Sequence, residues 1–155
     1  MKKYLSVGLV MTALGAGGWL FSSQAAVTSA SAAEMVVYKS PSCGCCGGWV
    51  RHLRQSGFTV EIREREDVVP IKRKLGVPER LDSCHTASIG GYVIEGHVPA
   101  KDIRRLLAQK PKASGLAVPG MPMGSPGMEQ EGGQKEPYAV ILFDGAVKRG
   151  VFAKY

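Results

Sequence analysis

The chain has 155 residues, 45% of them hydrophobic and 21% charged, with 20 Lys and Arg against 13 Asp and Glu. That size fits one globular domain, and the composition excludes a wholly disordered protein. The net charge of +7 is dispersed, and Glu61, Arg63, Glu64, Arg65, Glu66 and Asp67 mix both signs in one segment, which describes a solvated face and argues against nucleic acid as a partner.

Residues 1–33 open with Lys2 and Lys3, run through an apolar stretch from Leu5 to Phe21, and end small and polar at Ala30-Ser31-Ala32-Ala33. A basic start, a short apolar segment and a small-x-small site are the marks of a secretory signal peptide, with cleavage after Ala32 or Ala33. An uncleaved anchor is the alternative, opposed by the Gly and Ser residues that interrupt the apolar run. In either case residues 34–155 are exported, as one domain with no stable membrane insertion once the leader is removed.

Met35 to Tyr38 reads as a buried first strand, ended by the turn residues Lys39-Ser40-Pro41-Ser42. Trp49, Val50, Leu53 and Arg54 follow at near-helical spacing, so Gly47 to Ser56 supplies the crossover helix that a parallel strand pair needs. Phe58, Val60 and Ile62 alternate with Thr59, Glu61 and Arg63 and predict a second strand. Val69 to Leu75 is a short basic helix with Pro70 in its first turn. Ala87 to Ile94 is β-prone around Gly90-Gly91, Glu95-Gly96 predicts a tight turn, and His97-Val98 would begin the return strand. Pro99 to Asp102 opens a third helix, with Ile103, Leu106 and Leu107 on one face. Residues 111–137 form a long Gly/Pro/Met-rich loop, a length that implies a task. Tyr138 to Phe143, the Asp144-Gly145 turn and Val147 to Phe152 make a terminal hairpin, residues 138–155. Strand, helix, strand, helix, hairpin, helix and an appended hairpin describe a thioredoxin-like α/β sandwich with a mixed sheet.

The densest chemical signal is Ser42-Cys43-Gly44-Cys45-Cys46-Gly47-Gly48-Trp49, where three thiols meet the junction of first strand and first helix. Cys43 and Cys46 alone have the C-x-x-C spacing of dithiol redox sites, in which a helix N-terminus favours the thiolate. Cys45 offers a competing partner for exchange, so three sulfurs look more like a cradle for a soft metal, Cu(I) or zinc, and exclude calcium and magnesium. Cys84-His85, on the loop before the third strand, adds a fourth sulfur and an imidazole. A disulfide framework remains open, since an exported chain with four Cys usually pairs them. Zinc fits four sulfurs but more often takes them as two separated pairs. Met121, Met123 and Met128 favour copper, because thioether sulfur binds Cu(I) without losing a proton; on their own they would read as gap-filling or linker residues. His52 reads as a surface or partly buried histidine, and His97, after the Glu95-Gly96 turn, is a lesser candidate to approach the metal. Neither a hydrolase triad nor a phosphate-binding loop is present.

Tyr38-Lys39-Ser40-Pro41-Ser42-Cys43-Gly44-Cys45-Cys46, Cys84-His85-Thr86, Gly91 to Ala100 and Pro119 to Glu129 occur in an order that resembles the CopG family of periplasmic copper-resistance proteins. The plasmid repressor of the same name is a different protein. The resemblance covers nearly all of residues 35–155 and implies a thioredoxin-like periplasmic domain that binds copper, several Cu(I) ions bridged by cysteine sulfur among the arrangements. Carried over, Cys43, Cys45, Cys46 and Cys84 are the sulfur ligands, and other envelope copper-handling proteins are the partners. It also implies a role in interconverting Cu(I) and Cu(II). One departure from the general thioredoxin pattern is that Ser83-Cys84-His85 stands where thioredoxins carry a proline facing the dithiol. The competing function is a periplasmic thiol-disulfide oxidoreductase using Cys43 and Cys46.

Overall fold

The computed structural model describes residues 34–145 and 147–155; the signal-peptide reading of residues 1–33 lies outside them. In chain order the elements are β1 (Met35–Lys39), α1 (Gly44–Gln55), β2 (Val60–Glu64), α2 (Val69–Lys74), a 3-10 turn (Glu79–Leu81), β3 (Thr86–Ile89), β4 (Tyr92–Glu95), α3 (Ala100–Gln109), β5 (Gly115–Ala117), β6 (Ala139–Asp144) and β7 (Val147–Lys154). The sheet runs in the order β2-β1-β3-β4-β5-β6-β7. The β1/β2 and β4/β5 pairs are parallel, each spanned by a helical crossover, and the other pairs are antiparallel. This is the mixed α/β sandwich with an added terminal hairpin. Among the described residues no helix is long and apolar enough to cross a membrane.

Alternation along the strands gives the sheet two apolar faces. Ile94, Leu116 and Val140 point to the larger core with Met35, Val37, Ala87 and the buried stripes of α1 (Trp49, Val50, Leu53) and α3 (Ile103, Leu106). Their neighbours Val93, Ala117, Ile141 and Phe143 point the other way, onto Val77 and Leu81. Burying each Val, Leu, Ile or Phe contributes about 1.5–3 kcal/mol, so these stripes fix which face each helix covers. Trp49 also donates its indole N–H to the Val98 carbonyl at 2.8 Å, tying α1 to the segment before α3.

Four local expectations need correction. The β3/β4 turn lies at Gly90-Gly91, whose φ values of 55° and 84° suit a residue without Cβ, while Gly96 and His97 follow the strand instead of making the hairpin turn. Helix α1 starts three residues earlier than Gly47, because Cys43 caps it. Ile62 is 38% exposed, since β2 is an edge strand. Residues 111–137 contain β5, too short for periodicity to reveal, and β5 links the terminal hairpin to the thioredoxin-like half of the sheet.

Candidate metal centre

Cys43 is the N-cap of α1. Its backbone is extended (φ −78°, ψ 98°), and its sulfur accepts from the Cys46 N–H at 3.4 Å, the bond that Ser or Asp makes elsewhere. Capping at this residue puts Cys45 and Cys46 in the first helical turn, with Cys46 fully buried and Cys45 partly exposed. A disulfide joins Cys43 to Cys46 across a Cα separation of 5.4 Å, and Cys45 and Cys84 are free thiols.

Cys84 reaches the same place from the loop before β3. That loop is fastened by a buried ion pair: Glu95 Oε1 meets Lys72 Nζ and also accepts from the Ser83 N–H at 2.7 Å. Lys72 and Glu95 are 1% and 0% exposed. Burial raises the Glu95 pKa and the Lys72 ammonium opposes the shift. A further bond from Gly96 N–H to the His85 carbonyl (3.1 Å) closes the loop. With the loop so held, the Cys84 sulfur is 3.9 Å from that of Cys45, which is 3.5 Å from that of Cys43. All four sulfurs lie within 4.8 Å of one another.

Cys84 also faces two imidazoles, His85 Nδ1 at 3.2 Å and His97 Nε2 at 3.1 Å. Both rings are fully buried. The His85 ring lies between Trp49 and His97, at centroid distances of 4.4 and 5.0 Å, and its Nε2 has no hydrogen-bond partner among the described residues. His97 Nδ1–H donates to the Pro126 carbonyl at 2.8 Å, which leaves the Nε2 lone pair directed at the Cys84 sulfur. Burial lowers the pKa of both rings, that of His85 strongly with help from neighbouring His97 and Lys72, so they are neutral donors. Burial pushes the Cys84 thiol up to about 12, reinforced by Cys45 beside it. The metal-free centre therefore keeps its proton on Cys84 and shares it with an imidazole.

The Met-rich segment closes the site through a backbone contact. A Cβ on Gly48 would sit 2.9 Å from Gly127 Cα, and one on Gly127 (φ +85°) would sit 2.5 Å from Trp49 N and 2.7 Å from the Cys45 carbonyl. Only two glycines let the loop approach the first turns of α1 this closely. The approach brings Pro126 to His97 and sets Met128 in a cleft with Gly44, Cys45 and Glu129. Met123 is held by its backbone to Glu136, and Met121 is 51% exposed. His52, away from this cluster, accepts from Ala100 N–H at 3.1 Å. Of the residues singled out from sequence, the structure thus gathers Cys43, Cys45, Cys46, Cys84 and His85, with Met128 at the edge. His97, a lesser candidate from sequence, joins them, and Lys72 and Glu95 escaped sequence reasoning. Their signals were a charge ending the apolar run Tyr92 to Ile94 and a lysine within α2, both of which read equally well as solvent-facing.

Two solved structures, described as copper resistance protein CopG in form 2 and form 1, match at 41% and 42% identity with TM-scores of 0.74 and 0.73. Each match covers 79% of this chain, and 98% and 96% of the respective structures. The chain belongs to the CopG family. The model of a family of unknown function, DUF411, matches residues 81–128, the part of this CopG-family chain that carries Cys84, His85, His97 and the Met-rich loop. No curated protein matches.

The sulfurs of the CopG-family chain fit a thiophilic metal. Bonds of about 2.3 Å in a tetrahedral site space sulfurs about 3.8 Å apart, and the Cys43–Cys45 and Cys45–Cys84 distances of 3.5 and 3.9 Å bracket that value. Opening the Cys43–Cys46 disulfide is the requirement for all four to donate.

Proposed function

We propose that this chain is an exported copper-binding protein of copper resistance or homeostasis, working in the periplasm. Residues 1–33 are its signal peptide and residues 34–155 its copper-binding domain. It holds Cu(I) on Cys43, Cys45, Cys46 and Cys84, with His85 and the thioether of Met128 as further donors. Bridging thiolates let one such set hold several Cu(I) ions. Exchange between Cu(I) and Cu(II), and transfer to other envelope copper proteins, are extensions of the same site. The observation that carries the reading is the convergence of four sulfurs within 4.8 Å in a chain 41% identical to a protein described as a copper resistance protein.

The test is anaerobic titration of the reduced chain with Cu(I) in competition with a Cu(I) chelator. More than one Cu(I) per chain is expected, with fewer in Cys45→Ser. An unchanged count in Cys45→Ser, or no binding against the chelator, sinks the proposal.

A second reading, a thiol-disulfide oxidoreductase, draws support from the Cys43–Cys46 bridge at the helix start. It predicts that metal-free protein exchanges disulfides with a model substrate, with activity lost in Cys43→Ser and kept in Cys45→Ser. Absence of exchange in the unsubstituted chain removes it.

A further inference from the structure

Cys84 belongs to two donor sets at once. One is the four-sulfur group with Cys43, Cys45 and Cys46; the other is Cys84 with His85 and His97, whose donor atoms also lie within 4.8 Å of one another. The disulfide divides these sets. It occupies two of the four sulfurs covalently and leaves the three donor atoms of the second set unbonded, although its sulfurs lie within 4.8 Å of Cys84 Sγ. We infer that Cys84, His85 and His97 form a separate mixed nitrogen–sulfur site for a divalent cation, Zn(II) or Cu(II), which persists when the Cys43–Cys46 bridge is closed and the four-sulfur set is dismantled.

The second set is built as metal sites are built. His97 is oriented by a backbone carbonyl on its remote nitrogen, the Pro126 bond, which fixes the ring and leaves Nε2 as donor. His85 is locked between Trp49 and His97 with Nδ1 toward the sulfur. Ligand bonds of about 2.0–2.3 Å would space sulfur and nitrogen about 3.5 Å apart, so the observed 3.1 and 3.2 Å contacts need open by only a few tenths of an ångström. One thiolate with two imidazoles suits Cu(II) or Zn(II), whereas a set of thiolates selects Cu(I).

Both sets draw on Cys84, and the bridge decides whether its thiolate is shared with three other sulfurs or left to the two imidazoles. Opening it is a balanced exchange. An external dithiol gives two electrons and two protons to the Cys43–Cys46 disulfide and leaves as its own disulfide; closing it by an external disulfide is the reverse. The donor set thereby follows the redox state of the surroundings, soft when reducing and mixed when oxidising. This inference rests on the copper reading for the reduced state and adds a site to it.

The test uses the purified chain with the bridge closed by an external disulfide, checked by mass for two remaining thiols, and titrated with Co(II) as a spectroscopic probe for Zn(II). One Co(II) per chain is expected, with a sulfur-to-cobalt charge-transfer band. His97→Gln should weaken it at least about tenfold, while Cys45→Ser leaves it unchanged. No Co(II) binding to the bridge-closed chain, or binding that depends on Cys45 and not on His97, overturns the inference. Should His97→Gln fail to fold, X-ray absorption of the Zn(II)-loaded unsubstituted chain decides: two imidazole nitrogens and one sulfur support the site, and an all-sulfur shell overturns it. Cu(I) titration of the reduced chain runs in parallel. Failure there refutes the copper reading, whereas normal Cu(I) uptake with no Co(II) binding refutes only the second site.

Discussion

The two halves of the centre are assembled by different means. Cys43, Cys45 and Cys46 lie within one helical turn, and the N-terminus of α1 arranges them almost unaided: Cys43 caps the helix and the next turn carries the other two. Cys84, His85 and His97 come from a loop and the end of a hairpin, and their geometry depends on a buried ion pair, an aromatic wall and a distant loop carbonyl. A local donor cluster withstands changes elsewhere in the fold. A distributed one fails when any of its supports is removed.

That contrast is open to direct attack. The largest effect is expected for Lys72→Met, which leaves the Glu95 carboxylate buried without its cation; removing one partner of such a pair costs about 3–5 kcal/mol. Denaturant unfolding should show the loss, and the freed Ser83-Cys84 loop should lower Cu(I) uptake even where the chain still folds. Full stability in Lys72→Met would show that the pair is not what fixes Cys84.

Next comes Cys84→Ser, which touches both donor sets. It should weaken Cu(I) binding at least about 10–100-fold by chelator competition, more than Cys45→Ser, which touches one. Equal effects from the two substitutions would erase the distinction between a shared and an unshared sulfur.

Gly127→Ala meets Trp49 N at 2.5 Å in a left-handed backbone conformation. We expect a loss of about 1–3 kcal/mol in a thermal or denaturant melt. Protection of Cys45 from alkylation should fall as the loop lifts. Alkylation at the original rate would mean that the loop does not cover the cleft.

A gentler probe is pH. His52, His85 and His97 all have pKa values lowered by burial from the ordinary 6.5. The unfolded chain then binds protons below about pH 6.5 that the folded chain refuses, so metal-free stability falls as pH drops from 6.5 toward the folded-state values. For fully buried His85 the limiting slope is about 1.4 kcal/mol per pH unit. Unfolding midpoints flat across that window would contradict the burial of the rings. Smallest of all, Met121→Leu should leave stability within about 0.5 kcal/mol, since Met121 is 51% exposed, whereas Met128→Leu should lower Cu(I) affinity measurably.

Much of this was legible in the residues. The strands from Met35 and Tyr138 and the stripe of Trp49, Val50 and Leu53 carried enough periodicity to yield the sandwich and the terminal hairpin. The triplet Cys43, Cys45, Cys46 announced soft-metal chemistry by spacing alone. What misled was local ambiguity: Gly90-Gly91 and Glu95-Gly96 are both turn signals five residues apart, and only strand pairing of Thr86 with Glu95 decides between them. Three-residue β5 is too short for any period to show, and its existence follows from the strands on either side.

By itself the sequence determined the donor types and one cluster of them, because spacing within a helical turn translates directly into distance. Only the tertiary structure decided that Cys84 is shared, that His97 faces it, and that Lys72 and Glu95 hold the loop. Those relations join residues 12 to 39 positions apart, and nothing in local propensity sets a distance over such separations. They arise because the sheet order and the Gly48–Gly127 contact bring these segments together.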